Sequence, residues 1–100
     1  MEKIVAQHLE EIKKLFLHYG AESAYLFGSA AKDTATEKSD IDFLFSFPAN
    51  LDYETYANNY FSLAHSLESL LNKRVDLVAE KTLQNPYLIE SINESKIQLL

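Results

Sequence analysis

The chain has 100 residues, of which 47% are apolar and 12% aromatic. This length and composition suit one compact domain over residues 1–100 and argue against disorder. The formal net charge is −6, with nine basic residues scattered among fifteen acidic ones. Because nucleic acids are bound by clustered Lys and Arg, a long nucleic-acid partner is disfavoured. There is no cysteine, which excludes disulfides, thiolate metal sites and cysteine catalysis.

The N-terminal stretch MEKIVAQHLEEIKK alternates acidic and basic residues, unlike the apolar core of a signal peptide. No apolar run approaches the roughly 20 residues that span a bilayer. With the absence of cysteine, these features predict a soluble, cytoplasmic protein that does not bind membranes.

The first half of the chain predicts one helix and two strands. Apolar residues at helical spacing predict a helix over residues 3–19, closed by Gly20. A short strand over 22–27 ends at Gly28, and the polar stretch that follows has room for one helical turn at its start. Residues 40–47 alternate as a strand does, and Pro48 ends it. One face of that strand carries Ile41, Phe43, Phe45 and Phe47, and the other carries Asp40, Asp42, Leu44 and Ser46.

The second half predicts a long helix, a third strand and a last helix. Asp52 is placed to cap a helix that runs to Leu71. Its apolar stripe consists of Tyr53, Tyr56, Ala57, Tyr60, Ala64, Leu67 and Leu71. RVDLVAE reads as a strand, Asn85 and Pro86 begin a helix near 86–94, and KIQLL predicts an edge strand. The order α-β-(turn)-β-α-β-α predicts an α/β (α+β) fold, a small mixed sheet with helices packed against it.

Asp40 and Asp42 interrupt an otherwise apolar strand. Side chains two apart on a strand share a face, with Cα atoms about 6 to 7 Å apart, so the two carboxylates project together. A divalent cation between them would replace their repulsion with coordination. Asp76 joins them at one end of the sheet if its strand is a neighbour. Three carboxylates around one or two Mg²⁺ ions suit phosphoryl or nucleotidyl transfer.

Gly28 and Ser29 supply the other half of this candidate site. A glycine that leaves a strand lets the backbone approach a ligand, and the N–H groups of the next turn favour an anion. Each feature alone has a simpler explanation. A Gly-Ser pair is usually a turn, Asp-x-Asp is often a solvated edge, and Asp76 could pair with Lys73 or Arg74. Their joint order along the chain is more specific than any one of them.

LFGSAAKDTATEKSDIDFLFSF and KRVDLVAE resemble the minimal nucleotidyltransferase (MNT) family of the DNA polymerase β-like superfamily, in its antitoxin branch. The resemblance covers essentially the whole chain and implies a nucleotidyltransferase fold. It implies that Gly28 and Ser29 hold a triphosphate, that Asp40 and Asp42 bind metal, and that Asp76 acts as base or third metal ligand. Many members are antitoxins of a small helical HEPN-class toxin, and move AMP from ATP onto a toxin tyrosine or act by tight binding.

The chain departs from the family in the loop after the first strand. Members commonly read Gly-Ser-Arg-Ala-Arg-Gly, whereas Ala30 here replaces the first basic residue and Asp33 the final glycine. Only Lys32 keeps a positive charge for the nucleotide. One lost charge-assisted phosphate contact costs roughly 1.5 to 3 kcal/mol of binding.

Two functions from different classes remain open. The favoured one is Mg²⁺-dependent transfer of a nucleoside monophosphate, AMP from ATP or another nucleoside triphosphate, onto a hydroxyl of a protein partner. The alternative is a non-catalytic antitoxin that masks a helical partner. Transfer to a small molecule is disfavoured because no substrate domain is evident. Because so short a chain offers little wall for a base pocket, we expect a HEPN-type helical partner or a second copy to complete the site. The nucleotide, the accepting hydroxyl and the role of Asp76 stay undecided at this point.

Overall fold

A computed structural model describes all residues from Met1 to Leu100. The helices and strands follow one another as α1 (Lys3–Gln7), α2 (Leu9–His18), β1 (Ser23–Phe27), α3 (Gly28–Lys32), β2 (Ile41–Ser46), α4 (Tyr53–Leu71), β3 (Val75–Ala79), a 3₁₀ turn (Glu80–Thr82), α5 (Pro86–Ser95) and β4 (Ile97–Gln98). None of the helices is both long enough and apolar enough to cross a membrane.

The four strands form one mixed sheet in the order β3-β2-β1-β4. β1 runs antiparallel to both β2 and β4, whereas β2 and β3 are parallel and are joined by α4. Parallel neighbours need such a crossover because a tight turn can only reverse the chain. The predicted fold class, a small mixed sheet with packed helices, is confirmed.

One face of the sheet is the main hydrophobic core. Ile41, Phe43 and Phe45 are fully buried on this face. Phe43 meets Phe16 of α2 edge to face, with ring centroids 5.5 Å apart. α4 adds buried leucines to the same cluster. The alternation read from the sequence therefore assigns the core face of β2 correctly.

The opposite face of the sheet is only partly covered. Leu44 is 2% exposed although its strand neighbours Asp42 and Ser46 are not buried. It lines one cavity with Ile92 of α5, which is also buried. α5 thus closes the middle of this face and leaves the end that carries Asp42 open.

Both predicted caps of the long helices are present. The Asp52 carboxylate accepts a hydrogen bond from the Thr55 N–H (3.1 Å) at the start of α4. The Asn85 side chain accepts one from the Tyr87 N–H (2.9 Å) at the start of α5. Each satisfies an N–H group that the first helical turn leaves without a partner.

The structure corrects the sequence analysis at the N-terminus. Residues 3–19 form α1 and α2 rather than one helix, with a break at His8. The His8 ring Nδ1 lies 2.9 Å from the Ile4 carbonyl, a local contact that competes with the helical ladder. The break lets the Glu2 N–H donate to the Ala30 carbonyl (2.7 Å), so the N-terminal segment packs on α3.

Two further findings concern the helices beside the sheet. The stretch from Gly28 to Lys32 forms a five-residue helix, which agrees with the helical turn expected at the start of the polar stretch. Tyr53, predicted in the apolar stripe of α4, is 87% exposed. It lines an open groove beside β3, and does not pack against the sheet.

Candidate active site

The pairing register places two of the predicted acids side by side on neighbouring strands. Asp42 of β2 lies opposite Asp76 of β3 on one side and opposite Phe27 of β1 on the other. Paired residues in neighbouring strands point to the same face of a sheet. Gly28 follows Phe27 directly, so the glycine lies at the same end of the sheet as the carboxylates. Asp40 lies immediately before β2, exposed to solvent.

Asp42 is the acid whose ionisation this arrangement opposes. Burial raises the pKa of its carboxyl from 3.8 to about 6, with further contributions from the negative charges of Asp76 and then Asp40. Because both acids act on Asp42, all three predicted carboxylates belong to one electrostatic cluster. A group whose ionisation its surroundings oppose is typical of a functional site.

No basic side chain relieves this repulsion. The ion pairs of the molecule join the N-terminal ammonium to Asp33 and Lys13 to Glu10, both away from the acids. Lys73, which could have paired with Asp76, instead donates to the Thr36 carbonyl (3.3 Å). The carboxylates are therefore free to accept a cationic ligand.

The donor set fits Mg²⁺ better than a metal held by protein alone. No group of three or more acidic or histidine side chains is close enough to form a complete metal site. Mg²⁺ commonly takes only one or two carboxylates and fills its octahedron with water and substrate phosphates. The half-buried Asp42 with Asp40 or Asp76 offers such a partial set of hard oxygen ligands.

Gly28 is required where it stands for two reasons. Its φ is +69°, a left-handed conformation that disfavours residues with a side chain. A Cβ at this position would also overlap the Asp42 carboxylate, lying 3.2 Å from its Cγ. The absent side chain therefore lets the end of β1 lie directly against the acid.

The predicted nucleotide-binding residues all lie on α3. Gly28 and Ser29 open this helix, no side chain caps its first turn, and Lys32 lies exposed in its last turn. Ala30 is fully buried in the core, so this position does not face the site. Asp33 adopts φ 60°, a left-handed conformation that glycine adopts most readily and that aspartate is among the residues to tolerate.

An apolar groove of about 450 Å³ runs along the outer side of β3. Leu77 and Val78 form one wall, directly after Asp76 in the chain, and α4 forms the other. Phe61 of α4, 69% exposed, lies beside the groove together with Tyr53. The groove therefore begins next to the acidic cluster.

Two residues near the acids were not assigned a role from the sequence. Glu68 contacts the backbone of β3 just before Asp76, and Tyr60, which the sequence placed in the apolar stripe of α4, contacts it just after. The positions of these two residues along α4 are a signal that the sequence does contain. Tyr60 and Glu68 are eight residues apart and share a face of α4, and a charged residue on a partly buried helical face is unusual.

Comparison with known families agrees with this geometry. A family profile described as "Nucleotidyltransferase domain" matches residues 5–99. The chain therefore belongs to the nucleotidyltransferase domain family and is a nucleotidyltransferase.

Two individual relatives are named as protein adenylyltransferases. A protein assigned as a protein adenylyltransferase in Methanocaldococcus jannaschii is 36% identical over 97% of this chain and 92% of its own length. The protein adenylyltransferase MntA of Thermococcus cleftensis is 32% identical over 85% of this chain and 79% of its own length.

Solved structures show the same fold. A minimal nucleotidyltransferase superposes with a TM-score of 0.75 and 33% identity, covering 97% of this chain and 95% of that chain. A toxin–antitoxin complex with AMP-PNP gives a TM-score of 0.72 and 29% identity, covering 92% and 72%. A complex of tri-AMPylated Shewanella oneidensis HEPN toxin with MNT antitoxin gives 0.66 and 26%, covering 95% and 71%.

Proposed function

We propose that this protein transfers AMP from ATP, in a Mg²⁺-dependent reaction, to a hydroxyl of a protein partner, and that it serves as the antitoxin of a HEPN/MNT pair. The observation that carries the proposal is the pairing of Asp42 with Asp76 beside Gly28, with no basic side chain to neutralise them. The names of the relatives support adenylyl transfer to protein, and the solved complexes support a HEPN partner.

Each element of the site receives a role. Asp40 and Asp42 hold the metal, and the backbone of Gly28 and Ser29, with Lys32, binds the triphosphate. When bound, Mg²⁺ supplies positive charge that neutralises the phosphates and helps to hold them in line for displacement. In one solved toxin–antitoxin mutant, 26% identical to this chain, two aspartates with the same Asp-x-Asp spacing are exchanged for glutamate.

Asp76 is assigned to the acceptor. It is exposed on the edge strand, so an incoming hydroxyl can reach it. Its carboxylate accepts the hydroxyl proton as the oxygen attacks the α-phosphorus of ATP. The bond from that phosphorus to the bridging oxygen breaks, and pyrophosphate leaves with the electron pair.

The strand order gives the two substrates separate approaches. The triphosphate residues follow β1, the metal-binding acids lie at the start of β2 or immediately before it, and Asp76 is on β3 at the outer edge. Nucleotide and acceptor therefore meet above β2 from opposite sides. The apolar groove lies on the acceptor side, where an aromatic-lined surface suits a protein partner.

The deciding experiment incubates the protein with α-labelled ATP, Mg²⁺ and its purified HEPN-class partner. We expect label on the partner with the wild type and none with Asp42→Asn. Asp52→Asn is the matched control, because asparagine caps a helix as well as aspartate and residue 52 begins α4 away from the acids.

The outcome also separates the two candidate functions. Full neutralisation of the partner without label would replace the catalytic proposal by the masking one. Mg²⁺ with ATP should raise the melting temperature by binding only the native state, and Asp40→Asn should abolish that rise.

A further inference from the structure

β3 is an edge strand, and its outer side has no strand neighbour. In its parallel ladder the Ile41 N–H donates to the Arg74 carbonyl (3.0 Å), which directs the backbone groups of Asp76 inward to β2. The backbone groups of Val75 and Leu77 therefore point outward. An edge strand without outer partners frays more readily than a central one.

Two side chains of α4 contact these outward groups on either side of Asp76. The Glu68 carboxylate accepts a hydrogen bond from the Val75 N–H (3.1 Å). The Tyr60 hydroxyl donates to the Leu77 carbonyl (2.8 Å). Both contacts are partly buried, so an unmet backbone group there would be costly.

We infer that Glu68 and Tyr60 are positioning residues for Asp76, which hold the edge strand in place so that this carboxylate stays opposite Asp42. The inference rests on the proposed function for the role of Asp76. Without the two contacts, the outward backbone groups on either side of Asp76 would lose their hydrogen-bond partners.

The chemistry of each contact suits this task. A hydrogen bond to a carboxylate oxygen is generally stronger than one between neutral groups, so the 3.1 Å contact with Glu68 restrains the Val75 amide. Tyr60 is itself fixed, because its ring packs against Phe45 of the core with centroids 5.8 Å apart. Asp76 contributes to raising the pKa of the Tyr60 hydroxyl, second to burial, which agrees with their proximity and keeps the hydroxyl a donor.

The test compares Glu68→Ala with Glu68→Gln, which keeps an acceptor oxygen, and with Tyr60→Phe. We expect Glu68→Ala to lower kcat for transfer to the partner about 10-fold, with KM for ATP within about 2-fold of wild type. We expect kcat to fall without a change in KM for ATP because Asp76 accepts the proton of the acceptor hydroxyl, whereas the nucleotide binds on the β1 side. Glu68→Gln should recover most of the rate, and Tyr60→Phe should fall between the two. Glu54→Ala, a glutamate of the first turn of α4 outside these contacts, is the control and should match wild type.

Amide hydrogen exchange supplies a readout that needs no acceptor. The amides of Val75 and Asp76 should exchange at least about 10-fold faster in Glu68→Ala than in wild type and Glu68→Gln. If wild type fails to transfer AMP but this exchange pattern holds, the proposed function fails and the positioning contacts stand. Wild-type kcat in both Glu68→Ala and Tyr60→Phe, or unchanged exchange in Glu68→Ala, would overturn the inference. Should Glu68→Ala not fold, Tyr60→Phe decides: wild-type kcat in it overturns the inference.

Discussion

The two faces of β2 differ sharply although their residues alternate along one short strand. Ile41, Phe43 and Phe45 point into a closed core beneath α2 and α4. Asp42 points to the other face, where it meets Asp76 and an open end of the sheet. The first face stabilises the fold, whereas the second places like charges together and opposes folding. Apolar burial on one face of a strand can offset the electrostatic repulsion within a carboxylate cluster on the other face. In this way a small protein maintains a charged site.

The largest expected effect concerns the acidic face alone. Asp76→Asn should lower kcat for transfer by about 100-fold or more, because asparagine cannot accept the proton of the acceptor hydroxyl. The stability of the protein should not fall, because one of the repelling charges is removed, and the melting shift on adding Mg²⁺ with ATP should stay close to wild type. A full kinetic comparison with Asp42→Asn, which should lose both the rate and the melting shift, checks the assignment. If Asp76→Asn also loses the shift, Asp76 is a metal ligand.

On the core face, Phe43→Ala should lower the free energy of unfolding by about 3 to 5 kcal/mol, because a fully buried ring is removed. Urea denaturation measures the change. Phe61→Ala is the matched control, since this phenylalanine is 69% exposed and its loss should cost less than about 0.5 kcal/mol. Equal losses in the two variants would contradict the assignment of the core.

Gly28 follows β1 and lies against Asp42. Gly28→Ala should destabilise the fold by about 1 to 3 kcal/mol and lower the rate of AMP transfer, because the new Cβ overlaps the Asp42 carboxylate. Gly20→Ala shares the positive φ, +86° against +69°, but its Cβ would have nothing within 4 Å. The excess cost of Gly28→Ala over Gly20→Ala therefore isolates the collision. A double variant with Asp42→Ala should remove most of that excess.

The smallest effect is a pH dependence of stability. The native pKa of Asp42, about 6, lies above its ordinary value of 3.8. The native state therefore binds this proton more tightly, and the group's contribution to stability is lost as pH rises from about 4 to about 6. Because the side chain is only half-buried, solvent screening reduces the effect to about 1 kcal/mol. Metal-free Asp42→Asn should match wild type near pH 4 and exceed its stability by that amount at pH 7, as thermal unfolding in a chelator would report. An equal pH profile in both proteins would contradict the electrostatic account.

Local rules predict most of the secondary structure of this chain. Asp52 and Asn85 mark their helices because capping depends on a few adjacent residues, and the alternation of β2 identifies its core face for the same reason. The break at His8 escapes this reasoning because the apolar spacing continues through it. Leu44 looks solvent-facing in the strand pattern, and only the return of α5 across the sheet buries it.

The site shows the same division between local and long-range information. The spacing of Asp40 and Asp42 puts them on one face from the sequence alone. Whether Asp76 joins them depends on the strand order and on the parallel register of β2 and β3, which no local pattern encodes. The place of Glu68 on a partly buried face of α4 indicates that it has a partner, but the sequence does not show which one, because that partner is a backbone N–H.

The side chains along the outer edge of β3 also constrain how this protein associates with others. Glu68, Tyr60 and Thr82 already bind the Val75 N–H, the Leu77 carbonyl and the Ala79 carbonyl, one outward group of each residue. A foreign strand could extend the sheet here only after displacing those side chains, so edge-to-edge aggregation and strand exchange between copies are blocked on this side. Recognition of another protein along β3 must therefore proceed through side-chain surfaces, which leaves the register of the acidic strand undisturbed while a complex forms.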